Sequence, residues 1–208
     1  MNRLGPAPPR HRMFEVRRAG PYDGDVLGEI HAAAWEAAYA PFFAPEFAAR
    51  AIQSRRTRWH ERIAQGEATI LLAEVDSRPL ALSAFSPSST RPGFAEIHTF
   101  YSHPDGWGSG VAAVLMTETL CRMRNDGFAQ VHLWTLRDTR QSHRFYAKCG
   151  FTERGTARTF DFGDGNPLEQ VEYERATHSP GTGPLERSAS PSAGASTPID
   201  SSRNAAPA

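Results

Sequence analysis

A glycine-rich turn between a predicted strand and a predicted helix constrains this chain more than any other feature. The segment 95–102 (AEIHTFYS) has the aromatic and β-branched residues of a strand, and HPDGWGSG follows it. From Ala112 onward, apolar residues recur at the spacing of one helix face. Three glycines leave the turn without Cβ atoms, namely Gly106, Gly108 and Gly110. Its backbone N–H groups can therefore close on an anion at a positive helix end, and a phosphate is the expected guest.

Two common phosphate-binding loops fit this turn poorly. A Walker loop needs Gly-Lys-Ser/Thr, but the only lysine of the chain is Lys148. A dinucleotide-binding loop needs GxGxxG and an acidic residue about 20 residues later, at the end of the next strand. The glycines here form GxGxG, and Asn125-Asp126-Gly127 is a helix end with no strand before it.

The turn resembles the pyrophosphate loop of the GNAT (Gcn5-related) N-acetyltransferases. In that family a strand and a proline precede the pattern Gln/Arg-x-x-Gly-x-Gly/Ala, and here Pro104 precedes WGSGVA (107–112). Gly110 and Ala112 stand at the two small-residue positions. Trp107 departs from the first position, so the resemblance implies phosphate contacts from the backbone there and not from a Gln or Arg side chain.

A second segment, DTRQSHRFYAKCGF (138–151), resembles the second motif of the same family, Asn-x-x-Ala-x-x-Phe-Tyr-x-x-x-Gly-Phe. The matching residues are Phe145, Tyr146, Gly150 and Phe151, whereas Thr139 and Ser142 replace Asn and Ala. A short helix with Asp138 or Thr139 as its N-cap would present Phe145 and Tyr146. The two motifs occur in the order found in the family, and the chain therefore resembles a GNAT N-acetyltransferase.

The resemblance extends more loosely over 14–175 and implies one α/β (α+β) domain. Periodicity predicts the order β, α, α, a run of strands, and then β, α, β, α, β. We expect a GNAT-like mixed, mostly antiparallel sheet of roughly six or seven strands with helices on both faces. Residues 13–176 would form this domain, with 1–12 as a disordered extension and 177–208 as a disordered tail rich in Pro, Ser and Ala.

Charge and composition exclude several other classes. The chain has 23 Lys and Arg and 23 Asp and Glu, so no net charge draws it to nucleic acid or to a membrane. No apolar run approaches the ~20 residues of a membrane span. Cys121 and Cys149 have neither a metal-site spacing nor a disulfide pattern. We therefore expect a cytoplasmic protein without a metal, a nucleic-acid partner or a membrane partner, and we leave a homodimer open.

The resemblance implies an acetyl-CoA-dependent N-acetyltransferase in which an amine attacks the thioester directly in a ternary complex. An amine of pKa ~10.4 must lose a proton, and the coenzyme A thiolate must gain one. The resemblance makes Tyr146 the acid, and Glu96 stands where histone-type members hold a catalytic glutamate. The alternatives to Glu96 are His98, His103 at the strand end, and a water chain without a dedicated base. Strand alternation places Glu96, His98, Phe100 and Ser102 on one face.

The same resemblance implies the binding residues. Acetyl-CoA would contact the strand exit, where the family's strand diverges from its neighbour, as well as the turn and the second motif: Phe100, Tyr101, Ser102, Trp107, Gly108, Ser109 (with its hydroxyl), Gly110, Val111, Ala112, Thr139 and Ser142. The acceptor, a small-molecule or peptide amine, would contact Trp35, Tyr39, Phe43 and His98. The alternative function is a non-catalytic acyl-CoA-binding sensor, because Trp107, Thr139 and Ser142 depart from the motifs.

Overall fold

A mixed sheet of seven strands runs through the computed structural model, which describes residues 12–178. The strands are β1 (Phe14–Arg18), β2 (Thr69–Val75), β3 (Arg78–Pro87), β4 (Phe94–Ser102), β5 (Gln130–Leu136), β6 (Thr152–Phe160) and β7 (Leu168–Ala176). Their order is β1-β2-β3-β4-β5-β7-β6, in which β4 and β5 are parallel and the other neighbours are antiparallel. The predicted mixed, mostly antiparallel sheet is confirmed.

Five helices of the described residues cover both faces of this sheet. They are α1 (Gly24–Tyr39), α2 (Pro45–Thr57), α3 (Trp59–Gln65), α4 (Val111–Asn125) and α5 (Arg140–Lys148). Alternate residues of β2 face the two layers: Ile70 and Leu72 pack with Trp59, whereas Leu71 and Ala73 pack with α4. The α1–α3 layer and the α4–α5 layer therefore lie on opposite faces, as predicted. No helix in residues 12–178 combines the length and hydropathy that a bilayer crossing needs.

One extra residue in β4 shifts the alternation of its side chains. Ala84 pairs with Thr99, whereas the next residue, Phe85, pairs with Ile97. His98 is therefore a β-bulge, an unpaired residue that bends the strand and displaces its register by one. Side chains before and after this position cannot keep a simple period of two.

The bulge corrects one prediction about β4. Glu96 lines the same cavity as Thr99 and Tyr101, on the side of the first three helices. Phe100 lies in the opposite layer, where its ring stacks on Phe145 with centroids 5.4 Å apart. The prediction that Glu96, His98, Phe100 and Ser102 share one face was therefore wrong, because it assumed an uninterrupted strand.

Strands β4 and β5 separate after a short parallel segment. Their pairing ends at Ile97–Leu133, although β4 continues to Ser102. The N–H of His103 donates to the carbonyl of Leu80 over 2.8 Å, which sets the hydrogen-bonding phase of β4 against β3. Because N–H groups alternate between the two edges of a strand, those of Phe100 and Ser102 point away from β3 and into the opening. The divergence expected at this strand exit is present.

Residues at both predicted domain ends are attached to the domain. Thr177 is 3% exposed; its N–H donates to Ala129 over 3.0 Å and its hydroxyl to Phe128 over 2.8 Å, both at carbonyl oxygens. Arg12 donates to the carbonyl of Ser109 over 3.2 Å. The predicted boundaries place Arg12 and Thr177 in the extensions, and these hydrogen bonds attach both residues to the domain. The predicted extensions at 1–11 and 179–208 lie outside the described residues.

Candidate active site

The turn after β4 directs unpaired backbone N–H groups into a cavity. Among the described residues, the N–H groups of Gly108, Gly110 and Ala112 have no hydrogen-bond partner. The intervening groups are occupied: the N–H of Ser109 donates within the turn over 3.1 Å, and that of Val111 donates to Ser109 Oγ over 3.2 Å. Gly108 and Gly110 have φ of +74° and +96°, which glycine adopts without strain. Three alternate donors thus meet the positive end of α4 and form an anion site.

The side chains of the turn hold its shape. The Ser109 hydroxyl donates to the carbonyl of Gly106 over 2.6 Å while it accepts from Val111. Trp107 is 43% exposed, and its indole N–H donates to the carbonyl of Ser102 over 3.1 Å. We therefore assign the Ser109 hydroxyl to the turn itself and not to a ligand. Trp107 fastens the turn to the end of β4.

A cavity of about 550 Å³ lies between this turn, α1 and α5, and we call it the turn cavity. Its walls include most of the residues predicted to bind cofactor, together with Tyr146: Phe100, Tyr101, Ser102, Trp107, Gly108, Gly110, Ala112, Thr139 and Ser142. Val111 is buried beneath the turn, and Ser109 is not part of the wall. Thr139 is buried with its hydroxyl donating to the carbonyl of Leu136 over 2.7 Å, so this side chain supports α5 from within.

Tyr146 projects from α5 to the wall of the turn cavity and is 8% exposed. Its ring packs edge-on against Phe145 and Phe151, which stand beside it in the second motif. Burial, reinforced by the nearby Tyr101 and Cys149, raises the pKa of Tyr146 well above its usual value. The hydroxyl therefore keeps its proton at neutral pH and is available as a donor.

A second cavity, of about 600 Å³, lies between α1–α3, β4 and the β6–β7 hairpin. Of the predicted acceptor residues, Trp35, Tyr39 and His98 line it. Phe43 does not, and instead stacks on Trp35 with ring centroids 5.2 Å apart. Five arginines also line this wall, and we name it the arginine cavity for them: Arg50, Arg55, Arg58, Arg62 and Arg158. Sequence reasoning expected the segment 158–166 near the acceptor but missed the other four arginines.

The two cavities meet at Tyr39 and Tyr101, which line both of them. The two rings lie edge to face with centroids 6.1 Å apart. Burial and the neighbouring hydroxyls of Tyr101 and Tyr146 raise the pKa of Tyr39. Three protonated tyrosines therefore surround the junction. The sequence predicted a contact at Tyr101 but not the direction of its side chain, because the bulge at His98 decides that direction.

Glu96 lies in the arginine cavity as an ionised carboxylate. Its oxygens are 3.6 Å from Nδ1 of His98 and 3.6 Å from Nε2 of His132. The neighbouring His98 imidazole is the main cause that lowers the pKa of Glu96, despite its partial burial. His132 is fully buried and also lies 2.9 Å from Glu172. The structure thus brings two of the predicted base candidates, Glu96 and His98, together. The third, His103, accepts the N–H of Asp105 at Nδ1 over 3.1 Å and caps the turn after β4.

His31 is a further residue of the site that sequence reasoning missed. It is 2% exposed, stacks on Tyr101 with centroids 4.5 Å apart and accepts the indole N–H of Trp59 at Nδ1 over 3.3 Å. Burial, with the charges of Arg58 and Arg55, holds the pKa of His31 well below its usual value. The His31 ring is therefore neutral and packs against the buried face of the Tyr101 ring. A lone histidine among the apolar residues of α1 was the only signal in the sequence.

Within residues 12–178, no cluster of His, Cys, Asp or Glu is suited to hold a metal ion.

Known proteins resemble this chain in both sequence and fold. The family model for the acetyltransferase (GNAT) family matches residues 28–151. An uncharacterised N-acetyltransferase of Mycobacterium tuberculosis is 31% identical over 143 residues, which make up 68% of this chain and 90% of that relative.

Solved structures share the architecture at lower identity. PaiA N-acetyltransferase from Thermoplasma acidophilum, in complex with coenzyme A, has a TM-score of 0.64 at 20% identity over 79% of this chain and 99% of its own. YncA of Salmonella typhimurium, with its cofactor acetyl-CoA, has a TM-score of 0.57 at 16% identity over 83% of this chain and 99% of its own. These similarities confirm the predicted fold.

Proposed function

Because the chain belongs to the acetyltransferase (GNAT) family and is therefore an acyltransferase, we propose that it transfers an acetyl group from acetyl-CoA to a primary amine. The amine, on a small molecule or a peptide N-terminus, attacks the thioester directly in a ternary complex. The observation that carries this proposal is the junction at Tyr39 and Tyr101, where a cavity with free N–H donors meets a second cavity. The turn cavity suits acetyl-CoA, and the arginine cavity suits the amine.

The turn cavity has the chemistry that coenzyme A requires. The free N–H groups of Gly108, Gly110 and Ala112 would hold the pyrophosphate at the start of α4. The N–H groups of Phe100 and Ser102, which point into the opening between β4 and β5, would hold the pantetheine chain and polarise the thioester carbonyl. An oxyanion contact of this type commonly contributes about 3 to 4 kcal/mol. Acetyl-CoA supplies the acetyl thioester on which these groups act.

Tyr146 would act as the general acid. Its raised pKa keeps the hydroxyl protonated, and its position on the wall of the turn cavity supports proton donation to the departing thiolate. A positioned acid of this kind typically contributes about 10²- to 10⁴-fold in rate.

Glu96 would bind the incoming ammonium group and begin its proton path. A free glutamate of pKa ~4.3 is about 6 units more acidic than an amine of pKa ~10.4, a gap of about 8 kcal/mol. The lowered pKa of Glu96 widens that gap, so direct transfer to this carboxylate is unfavourable. We therefore infer that water beside Glu96 carries the proton onward, with His98 as the adjacent relay.

The test is a panel of primary amines assayed for acetyl-CoA-dependent thiol release, with acetyl-CoA affinity measured separately by calorimetry. We expect binding of acetyl-CoA and intersecting initial-rate patterns for at least one amine. Binding without acetylation of any amine would favour the acyl-CoA sensor, and absence of binding would contradict both functions. The sensor remains a candidate because the substituted residues Trp107 and Thr139 donate to protein carbonyls and not into the cavity.

A further inference from the structure

Three arginines, one each from α2, α3 and the residue between them, bring positive charge into the arginine cavity without a carboxylate partner. Arg55, Arg58 and Arg62 are partly buried in its wall. An ion pair requires a nitrogen-to-oxygen distance of 4.0 Å or less, and no carboxylate oxygen in residues 12–178 lies that close to a guanidinium nitrogen of any of the three. Arg56, on the outer side of the same helix, shows the usual surface arrangement with Glu29 at 2.8 Å. Arg56 is therefore a surface residue with a counter-charge, whereas the three inward arginines have none.

The contacts these arginines do make leave hydrogen-bonding capacity unused. Arg55 donates to the carbonyl of Ala51 over 2.8 Å and lies over the ring of Trp35 at 4.1 Å. Arg58 lies 3.5 Å from Nδ1 of His31. The Nε atoms of Arg55 and Arg58 are both buried without any hydrogen-bond partner. A buried donor without a partner, and a buried charge without a counter-charge, are each unfavourable.

The charge also persists at neutral pH and lies close to the junction. Burial lowers the pKa of Arg55 to about 10 and also lowers the pKa of Arg58 and Arg62, yet all three guanidinium groups stay protonated at pH 7. Burial raises the pKa of Tyr101, while the charges of Arg55 and Arg58 oppose that rise. Both arginines line the arginine cavity together with this junction tyrosine, and Arg58 contacts His31, the ring that stacks on Tyr101.

The two carboxylates of the cavity wall do not neutralise this charge. Glu96 is already flanked by two histidines, with its nearest contacts on the β4–β5 side. Asp161 accepts the N–H groups of its own turn, from Gly163 over 2.7 Å and from Asp164 and Gly165 over 3.1 Å. The end of the cavity near α2 and α3 thus stays electropositive.

We propose that the acceptor amine also carries a carboxylate or phosphate, which Arg55 and Arg58 bind while the amine reaches the Tyr39–Tyr101 junction. This inference rests on the proposed function and names its substrate class, a small zwitterionic amine. Guanidinium groups suit both anions, because their N–H donors match two oxygens at once. Polycationic amines are disfavoured by the same charges that attract the anion.

Paired acceptors test the proposal by activity. Each pair keeps the amine and removes the anion: L-amino acids against their amides, and O-phosphoethanolamine against ethanolamine, with spermidine as the polycation. We expect kcat/KM to be at least about tenfold higher for the anionic member of one pair, and the responding pair identifies carboxylate or phosphate. In Arg55→Gln and Arg58→Gln this preference should fall towards one, whereas Arg58→Lys should keep part of it and the matched control Arg56→Gln all of it. Equal preference in all variants would overturn the proposal.

A binding measurement decides the question without turnover. Protein saturated with coenzyme A, which occupies the turn, is titrated with inorganic phosphate or acetate while the melting temperature is followed. We expect stabilisation of the wild type and Arg56→Gln, and its loss in Arg55→Gln and Arg58→Gln; equal responses, or none in the wild type, overturn the anion site. If coenzyme A does not bind, the proposed function fails, and the same titration of the free protein still tests the arginines.

Discussion

The indole N–H of Trp107 donates to the carbonyl oxygen of Ser102 across 3.1 Å and so joins the glycine turn to the end of β4. The N–H of Ser102 points into the opening beside β5, and the next alternate donors belong to the turn. This hydrogen bond therefore helps to set the distance between the donors proposed for the thioester and those proposed for the pyrophosphate.

Trp107→Phe should weaken coenzyme A binding several-fold. The change keeps an aromatic ring but removes the donor, a loss of about 0.5–1.5 kcal/mol for one hydrogen bond. Trp107→Gln is the matched control, since its amide keeps an N–H and restores the residue type of the family pattern. Calorimetry should give a lower coenzyme A affinity for Trp107→Phe than for Trp107→Gln. Equal affinities would show that the hydrogen bond does not position the turn.

Gly108→Asp should lower coenzyme A affinity by roughly tenfold or more, because it places a negative charge beside the free N–H groups. The control is Gly93→Asp, which shares the backbone cost: φ is +74° at Gly108 and +81° at Gly93, and a Cβ meets nothing within 4 Å at either. Both variants should lose similar stability, and only Gly108→Asp should lose affinity. Equal affinities in the two variants would contradict the pyrophosphate assignment.

Tyr146→Phe should reduce kcat by ~10²-fold or more and leave coenzyme A affinity nearly unchanged. The substitution keeps the ring that packs on Phe151 and deletes only the hydroxyl. Since the pKa of Tyr146 is raised, this group should add no basic limb to the pH–rate profile below about pH 10. Tyr22→Phe, at a side chain that is 98% exposed, is the control. Wild-type turnover in Tyr146→Phe, under conditions where chemistry limits the rate, would remove its acid role.

Because the deprotonated fraction of an amine of pKa ~10.4 increases with pH, we expect the rate to rise between about pH 6 and 8. Glu96→Gln should lower kcat/KM by roughly 10- to 100-fold while this rise persists. The pKa of Glu96 is already lowered from 4.5, so its carboxylate is ionised throughout that range and does not produce the rise. Glu118→Gln, which breaks only an i,i+4 pair with Arg122, is the control. Disappearance of the rise in Glu96→Gln would instead identify Glu96 as the titrating base.

The free energy of unfolding should decrease as pH falls below about 6.5. The pKa of His31 is lowered in the folded state, chiefly by burial, so the unfolded chain binds more protons in this range. Each such proton changes the slope by at most about 1.4 kcal/mol per pH unit. His31→Gln should flatten the dependence, and His132, whose pKa burial also lowers, should maintain the remainder. Urea titrations at several pH values would measure the free energy of unfolding, with His60→Gln at an exposed side chain as the control. If the slope of this free energy against pH is the same in His31→Gln as in the wild type, His31 is not responsible.

Local signals in the sequence predicted much of the fold and the turn. Glycine at the positive-φ positions Gly108 and Gly110, strand alternation and the helix period all depend on neighbours in the chain. The bulge at His98 could not be predicted, because one additional strand residue changes neither composition nor turn chemistry. The face of β4 that carries Tyr101 was missed for that reason.

The arginine cavity depends on tertiary packing and was missed as well. In the sequence, Arg55, Arg56 and Arg58 form one basic stretch. Only the packing of α2 against α1, and of the cavity wall against β4, directs Arg55 and Arg58 inward and Arg56 to solvent. The roles of Tyr146 and Glu96 stay predictions that the variants above address.

The turn cavity and the arginine cavity share only the pair Tyr39 and Tyr101. In the proposed assignment each substrate therefore occupies its own cavity, and neither lies in the cavity of the other. Such an arrangement favours random order of addition and independent departure of the two products. Coenzyme A should then inhibit competitively against acetyl-CoA, and the acetylated product competitively against the amine.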